Sequence, residues 1–157
     1  MSQMSDIPSP LLAPYIRRNS IFDNSKGIDP CLTSPIDPGD DGSNGGLNYP
    51  VITSAKTSRR ATVIKATLDS VAGQGYALEF FANPAALSGS SSYSHDEGKT
   101  FKAERPVTTD INGHASFSFK LKWTEKIPAK QYVTATATRT ETKGTSEFSL
   151  PVLVKRQ

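Results

Sequence analysis

The densest group of oxygen donors in the chain is Asp37-Pro-Gly-Asp40-Asp41-Gly-Ser-Asn44. Calcium takes roughly six to eight oxygen ligands, and Asp/Asn loops with glycine turns supply them. Asp37, Asp40, Asp41 and Asn44 are therefore the candidate metal ligands. As an EF-hand loop starting at Asp37 the segment fails. Gly39 replaces the donor at the third position, and Asn48 stands where a bidentate Glu belongs. The competing reading is a solvated turn whose side chains cap backbone amides. His95-Asp96-Glu97 lies in the polar run SGSSSYSHDEGK. Adjacent loop residues do not converge by themselves, so a polar loop is the simpler reading. His114 follows a turn glycine and reads as an exposed turn residue. Cys31 is the one cysteine, which excludes an intrachain disulfide and a cysteine-based zinc site.

No G-x-S-x-G elbow, P-loop or G-x-G-x-x-G segment is present. The expectation is a non-enzymatic protein, with no catalytic residue and no cofactor beyond a calcium ion. Flat rings stack on sugars, so exposed aromatics point to glycan binding. Tyr93, in the Ser-rich loop, is the candidate ligand residue. Trp123 continues the inward register of its strand and is expected in the core.

These residues need a scaffold, and the pattern supplies one from Val51 onward. VITSA (51–55), ATVIKATL (61–68), GYALEFFA (75–82), KTFKAERPVTT (99–109), ASFSFKLKW (115–123), QYVTATATRTE (131–141) and TSEFSLPVLV (145–154) read as strands. In ASFSFKLKW, Ala115, Phe117, Phe119, Leu121 and Trp123 fall on one face and Ser116, Ser118, Lys120 and Lys122 on the other. Pro106 marks an edge strand or a bulge. Asn112-Gly113 marks a hairpin with both turn residues at positive φ. The reading is all-β: an antiparallel, Ig-like β-sandwich of about seven strands with an extended N-terminal arm.

Composition divides the chain at Tyr49-Pro50. Residues 1–50 hold 7 of the 11 prolines and a net charge of −3, while residues 51–157 carry +6. The first part is expected to be an arm and connector, and the second the β-sandwich domain. Three prolines in SDIPSPLLAP exclude a long helix. Leu11, Leu12, Tyr15 and Ile16 give this arm apolar anchors for docking. Apolar runs are too short for a transmembrane span. The start, MSQMSDIPSP, has neither a basic nor an apolar signal region, so no secretory signal is expected. The basic residues of the second part are scattered along strands, as on a solvated face. Nucleic acid is disfavoured, and an acidic protein surface is the better partner.

Several stretches resemble a β-sandwich domain found in large bacterial surface proteins beside right-handed parallel β-helix repeats. NSIFDNSKGIDP (19–30) is similar to the last β-helix coil. IDPGDDGSNGGLNYPVITSA (36–55) is similar to the Asp/Gly-rich connector that follows. LEFFANPA, GKTF, VTTDINGHASFSF and YVTATAT…TSEFS are similar to successive parts of the sandwich. The resemblance implies a non-catalytic spacer, adhesion or presentation module outside the cell. This chain has one such coil where that family has many, and a lone coil has no neighbour to stack on.

The functional expectation is a structural or interaction protein, fastened by its arm to a larger assembly or to further copies of itself. Capsid decoration on a virion surface is one setting. The alternative is an extracellular adhesion or carbohydrate-binding module on a cell surface. No membrane contact is expected, and a glycan partner stays open.

Overall fold

The computed structural model describes residues 15–22, 27–28, 47–84 and 97–157. They form two four-stranded sheets packed face to face. β1 (Val51–Thr57), β2 (Ala61–Asp69), β3 (Gly75–Asn83), β4 (Thr100–Thr108), β5 (His114–Lys122), β6 (Tyr132–Arg139), β7 (Val152–Leu153) and β8 (Lys155–Arg156) follow in chain order. The first sheet runs β5-β2-β1-β8 and the second β4-β3-β6-β7. The described residues contain no α-helix and one 3-10 turn, Trp123–Glu125.

Alternation of residue type explains the first sheet. Ile64, Ala66 and Leu68 of β2, with Leu121 of β5, point into the shared core, and Ala115 of β5 is buried on the same face. Ser116, Ser118, Lys120 and Lys122 are exposed, as their period-two spacing requires. β1 breaks the alternation because its register shifts between Ile52 and Ser54. The extra residue, Thr53, donates its hydroxyl to the Lys65 carbonyl at 3.1 Å. The shift lets Ile52 and Ala55, three positions apart, both face inward.

Pro106 sits on β4, which is the edge of its sheet, and the β3–β4 register also shifts between Phe80 and Phe81. An edge position leaves the missing proline N–H without a partner to disappoint.

The all-β sandwich is as expected, with one short parallel pairing, β1 with β8. Three finer expectations are corrected. The last expected strand shrinks to Val152–Leu153 plus a single bridge from Thr145 to Thr138. The β4–β5 turn places only Gly113 at positive φ, at 81°. Its Asp110 carbonyl accepts from Gly113 N–H at 3.0 Å, and Asp110 Oδ1 accepts from the Asn112 and His114 amides. The aspartate thus organises a wider turn, and one left-handed residue closes it. Trp123, expected in the core, is 89% exposed. β5 ends at Lys122, and the chain turns there with Trp123 at φ 54°, so the strand period no longer applies.

The central strands of the second sheet, β3 and β6, are buried on both faces. Val133, Ala135 and Ala137 of β6 face the main core, yet Thr134, Thr136 and Thr138 are buried as well. Their cover is residues 145–149 and the arm. Ser146 and Ser149 donate from their side chains to their own segment and accept from the Ala137 and Ala135 amides, each at 2.9 Å.

Candidate functional site

The arm root crosses the outer face of the β4-β3-β6 sheet, and polar contacts fix its register. The Ile16 amide donates to Thr145 Oγ1 at 3.0 Å, and that hydroxyl lies 3.1 Å from the Ile16 carbonyl. Ile21 and Gly98 exchange both backbone hydrogen bonds at 2.9 Å, forming an antiparallel bridge. Ser20 donates its hydroxyl to the Lys99 carbonyl. Gly98 has to be glycine at this crossing. A Cβ there would lie 2.5 Å from Phe148 and 2.7 Å from Phe81.

Apolar packing follows the same path. Ile28, Phe81 and Phe148 form a second core cluster, with Ile16, Ile21 and Phe101 against it. Phe81 meets Phe148 edge to face at 5.2 Å and Phe101 at 5.9 Å. Burying a side chain of this size stabilises by about 1.5–3 kcal/mol.

At the centre stands Glu79, fully buried on β3. Arg17 Nε donates to its Oε1 at 3.1 Å, and the Arg18 amide donates to its Oε2 at 2.8 Å. Glu104 lies directly across on β4. Like charges opposite each other on neighbouring strands repel. Arg17 relieves this by ion-pairing with Glu104 as well, and Arg18 reaches Glu104 at 3.0 Å. Burial pushes the Glu104 carboxyl up, but hydrogen bonds from both arginines outweigh it and hold the group below its usual range. Burial also opposes the Arg17 charge. Contacts with Tyr15 and Glu104, and the charges of Glu104 and Glu79, carry its guanidinium above the ordinary value. Both Glu79 oxygens are engaged by the arm, so the facing carboxyl groups act as a clasp for it.

The two ends of the sandwich differ. At one end the β2–β3 and β4–β5 loops are knitted together. Ser70 N–H donates to the Gly113 carbonyl, Gly73 N–H to the Asp110 carbonyl, and Thr109 Oγ1 to the Val71 carbonyl. Leu47 joins the main core close by, and Asn48 Nδ2 donates to the Asp69 carbonyl at 2.6 Å. His114 is exposed, and its Nδ1 lies 2.6 Å from Asp69 Oδ1. That hydrogen bond raises the His114 value above 6.5.

The opposite end carries a cleft of about 650 Å³ lined by Thr57, Ser58, Arg59, Lys126, Arg156 and their neighbours. Lys126 Nζ donates to the Arg59 carbonyl at 3.2 Å, which ties the two loops together. The Lys126 amide donates to the Trp123 carbonyl, so the exposed indole and this lysine share one tight turn.

Of the residues singled out from sequence, Ile16 packs against the Phe81–Phe148 cluster, and Tyr15 is 54% exposed with its hydroxyl 3.0 Å from Arg17 Nη1. Leu11, Leu12, Cys31, Asp37, Asp40, Asp41, Asn44, Tyr93, His95 and Asp96 lie outside the described residues. The clasp residues Arg17, Glu79 and Glu104 were missed. One signal for them existed: Glu79 interrupts the apolar run Leu78-Glu79-Phe80-Phe81. A charge inside such a run needs a partner.

No family model matches the chain, and a search of curated proteins gives no match. Among solved structures, the chain is similar to a β-glucosidase from Kluyveromyces marxianus, with 13% identity and a TM-score of 0.38. The match covers 71% of this chain and 15% of that protein.

Proposed function

We propose that this protein is a non-enzymatic interaction module, a β-sandwich carried on a larger assembly by its N-terminal arm. The observation that supports this reading is the clasp of Arg17 on buried Glu79. It makes the arm root part of the domain. A domain built this way carries its arm from a fixed point on the second sheet. Leu11 and Leu12 are the anchors in that preceding stretch, and its prolines reduce the entropy lost on docking. Capsid decoration on a particle surface is one setting that fits. Presentation beside β-helix repeats, as in the bacterial surface proteins that the sequence resembles, is another.

The test is a photo-crosslinking residue at Leu12 in the full chain, activated in cells that make the native assembly. The expected product is one dominant adduct with a second polypeptide, either a partner or another copy. Crosslinks confined to the chain's own sandwich would contradict the reading.

A second reading, an adhesion or carbohydrate-binding module, is favoured by one observation. Trp123 is 89% exposed beside the basic cleft's Lys126. An exposed indole offers a flat apolar face and an N–H donor, the combination on which a sugar ring stacks.

A further inference from the structure

We infer that the Arg59–Lys126–Arg156 cleft binds an acidic oligosaccharide, with Trp123 as the stacking platform for a sugar ring. The inference deepens the glycan-binding reading by naming the ligand class.

Three features of the cleft carry it. The first is uncompensated charge. Arg59, Lys126 and Arg156 line one cleft, and no carboxylate pairs with any of them among the described residues. An anion seated among these three cations would neutralise them.

The second feature is size. About 650 Å³ lies within the range of small-ligand sites and is open at the surface. A single-stranded nucleic acid is usually held by an extended cationic groove with several stacked aromatics. Here one short cleft and one nearby indole are present, which suits a short chain of sugar rings. Guanidinium groups of Arg59 and Arg156 match carboxylates in a planar, bidentate way, and Lys126 adds a point charge.

The third feature is the held geometry of the platform. Trp123 sits at φ 54°, a left-handed conformation that a bulky residue adopts at a cost of about 1–2 kcal/mol. Its carbonyl is fixed by the Lys126 amide at 3.1 Å, and Lys126 in turn reaches the Arg59 carbonyl. The turn that carries the indole is therefore tied, through Lys126, to the loop that carries Arg59. Such local strain persists where the surroundings impose it, often at binding sites.

The experiment is calorimetric titration of the full chain with tri-galacturonic acid, maltotriose and a hexathymidylate at low salt. The expected result is binding of the acidic trimer, with at least a tenfold loss in Trp123→Ala and in Arg59→Ala/Lys126→Ala. Both changes fall on exposed or cleft-lining side chains, and urea unfolding of each variant confirms that it is folded. Binding of maltotriose alone would overturn the acidic class while leaving glycan binding in place. Binding of none of the three, or only of the hexathymidylate, would overturn both. Acidic-trimer binding that survives Trp123→Ala would overturn the stacking role and with it the inference.

Discussion

Arg17 and Glu79 are 62 positions apart and meet at 3.1 Å on the outer face of the second sheet. The contact pins a proline-bearing arm to the middle of a β-strand. Glu79 is fully buried, so its charge has been taken out of water and depends on this partner.

Removing the guanidinium should therefore be costly. Arg17→Met is expected to lower stability by about 3 kcal/mol, the low end for breaking a buried ion pair. Adding Glu79→Gln to it should recover more than half of the loss, because the amide oxygen still accepts from the Arg18 N–H without burying a charge. Urea unfolding of the two variants checks this. An Arg17→Met protein as stable as the parent contradicts the clasp.

The clasp also gives a pH dependence with a definite sign. Glu104 is held below its ordinary value of 4.5 in the folded state, where hydrogen bonds from Arg17 and Arg18 outweigh burial. Its contribution is present above 4.5 and is lost as pH falls through the lowered folded value. The stability gap between the parent and Glu104→Gln should be constant near neutral pH and close on acidification. A gap unchanged down to pH values well under 4.5 would argue against it.

His114 should behave with the opposite sign. The Asp69 hydrogen bond raises its folded value above 6.5. The contribution is complete below 6.5 and disappears as pH rises through the raised value. An NMR titration of the His114 ring should place its midpoint above that of a free histidine. In Asp69→Asn the midpoint should move down.

Trp123 offers a trade between stability and binding. Glycine adopts φ 54° without a Cβ penalty, and the indole makes little buried contact to lose. Trp123→Gly should raise stability by about 1 kcal/mol while abolishing the proposed sugar site. A destabilised Trp123→Gly would show that the ring holds the turn in place.

The sandwich was legible because β2, β5 and β6 alternate residue types cleanly, with Ile64-Lys65-Ala66 and Phe119-Lys120-Leu121 as examples. Alternation reports burial on one face only. It could not show that Thr134, Thr136 and Thr138 are also covered, because the cover comes from segments distant in sequence. For the same reason nothing in the sequence of the arm singles out Arg17. Trp123 was misplaced because strand periodicity carries no information about where the strand stops. The β5 strand ends one residue earlier, at Lys122. The scattered basic residues looked like a solvated face. Only the β1–β2 turn, the Trp123 turn and the β1–β8 pairing bring Arg59, Lys126 and Arg156 to one cleft.

The arm root is part of the domain, and hydrogen exchange measures that directly. Ile21 and Gly98 donate their amides to each other's carbonyls, and the Arg18 amide is held by Glu79. In the full chain these three amides should exchange as slowly as those of central strand β3, and Arg17→Met should speed them selectively. Exchange of all three at the rate of an unstructured peptide, with β3 still protected, would show an arm that is not fastened and would contradict the account.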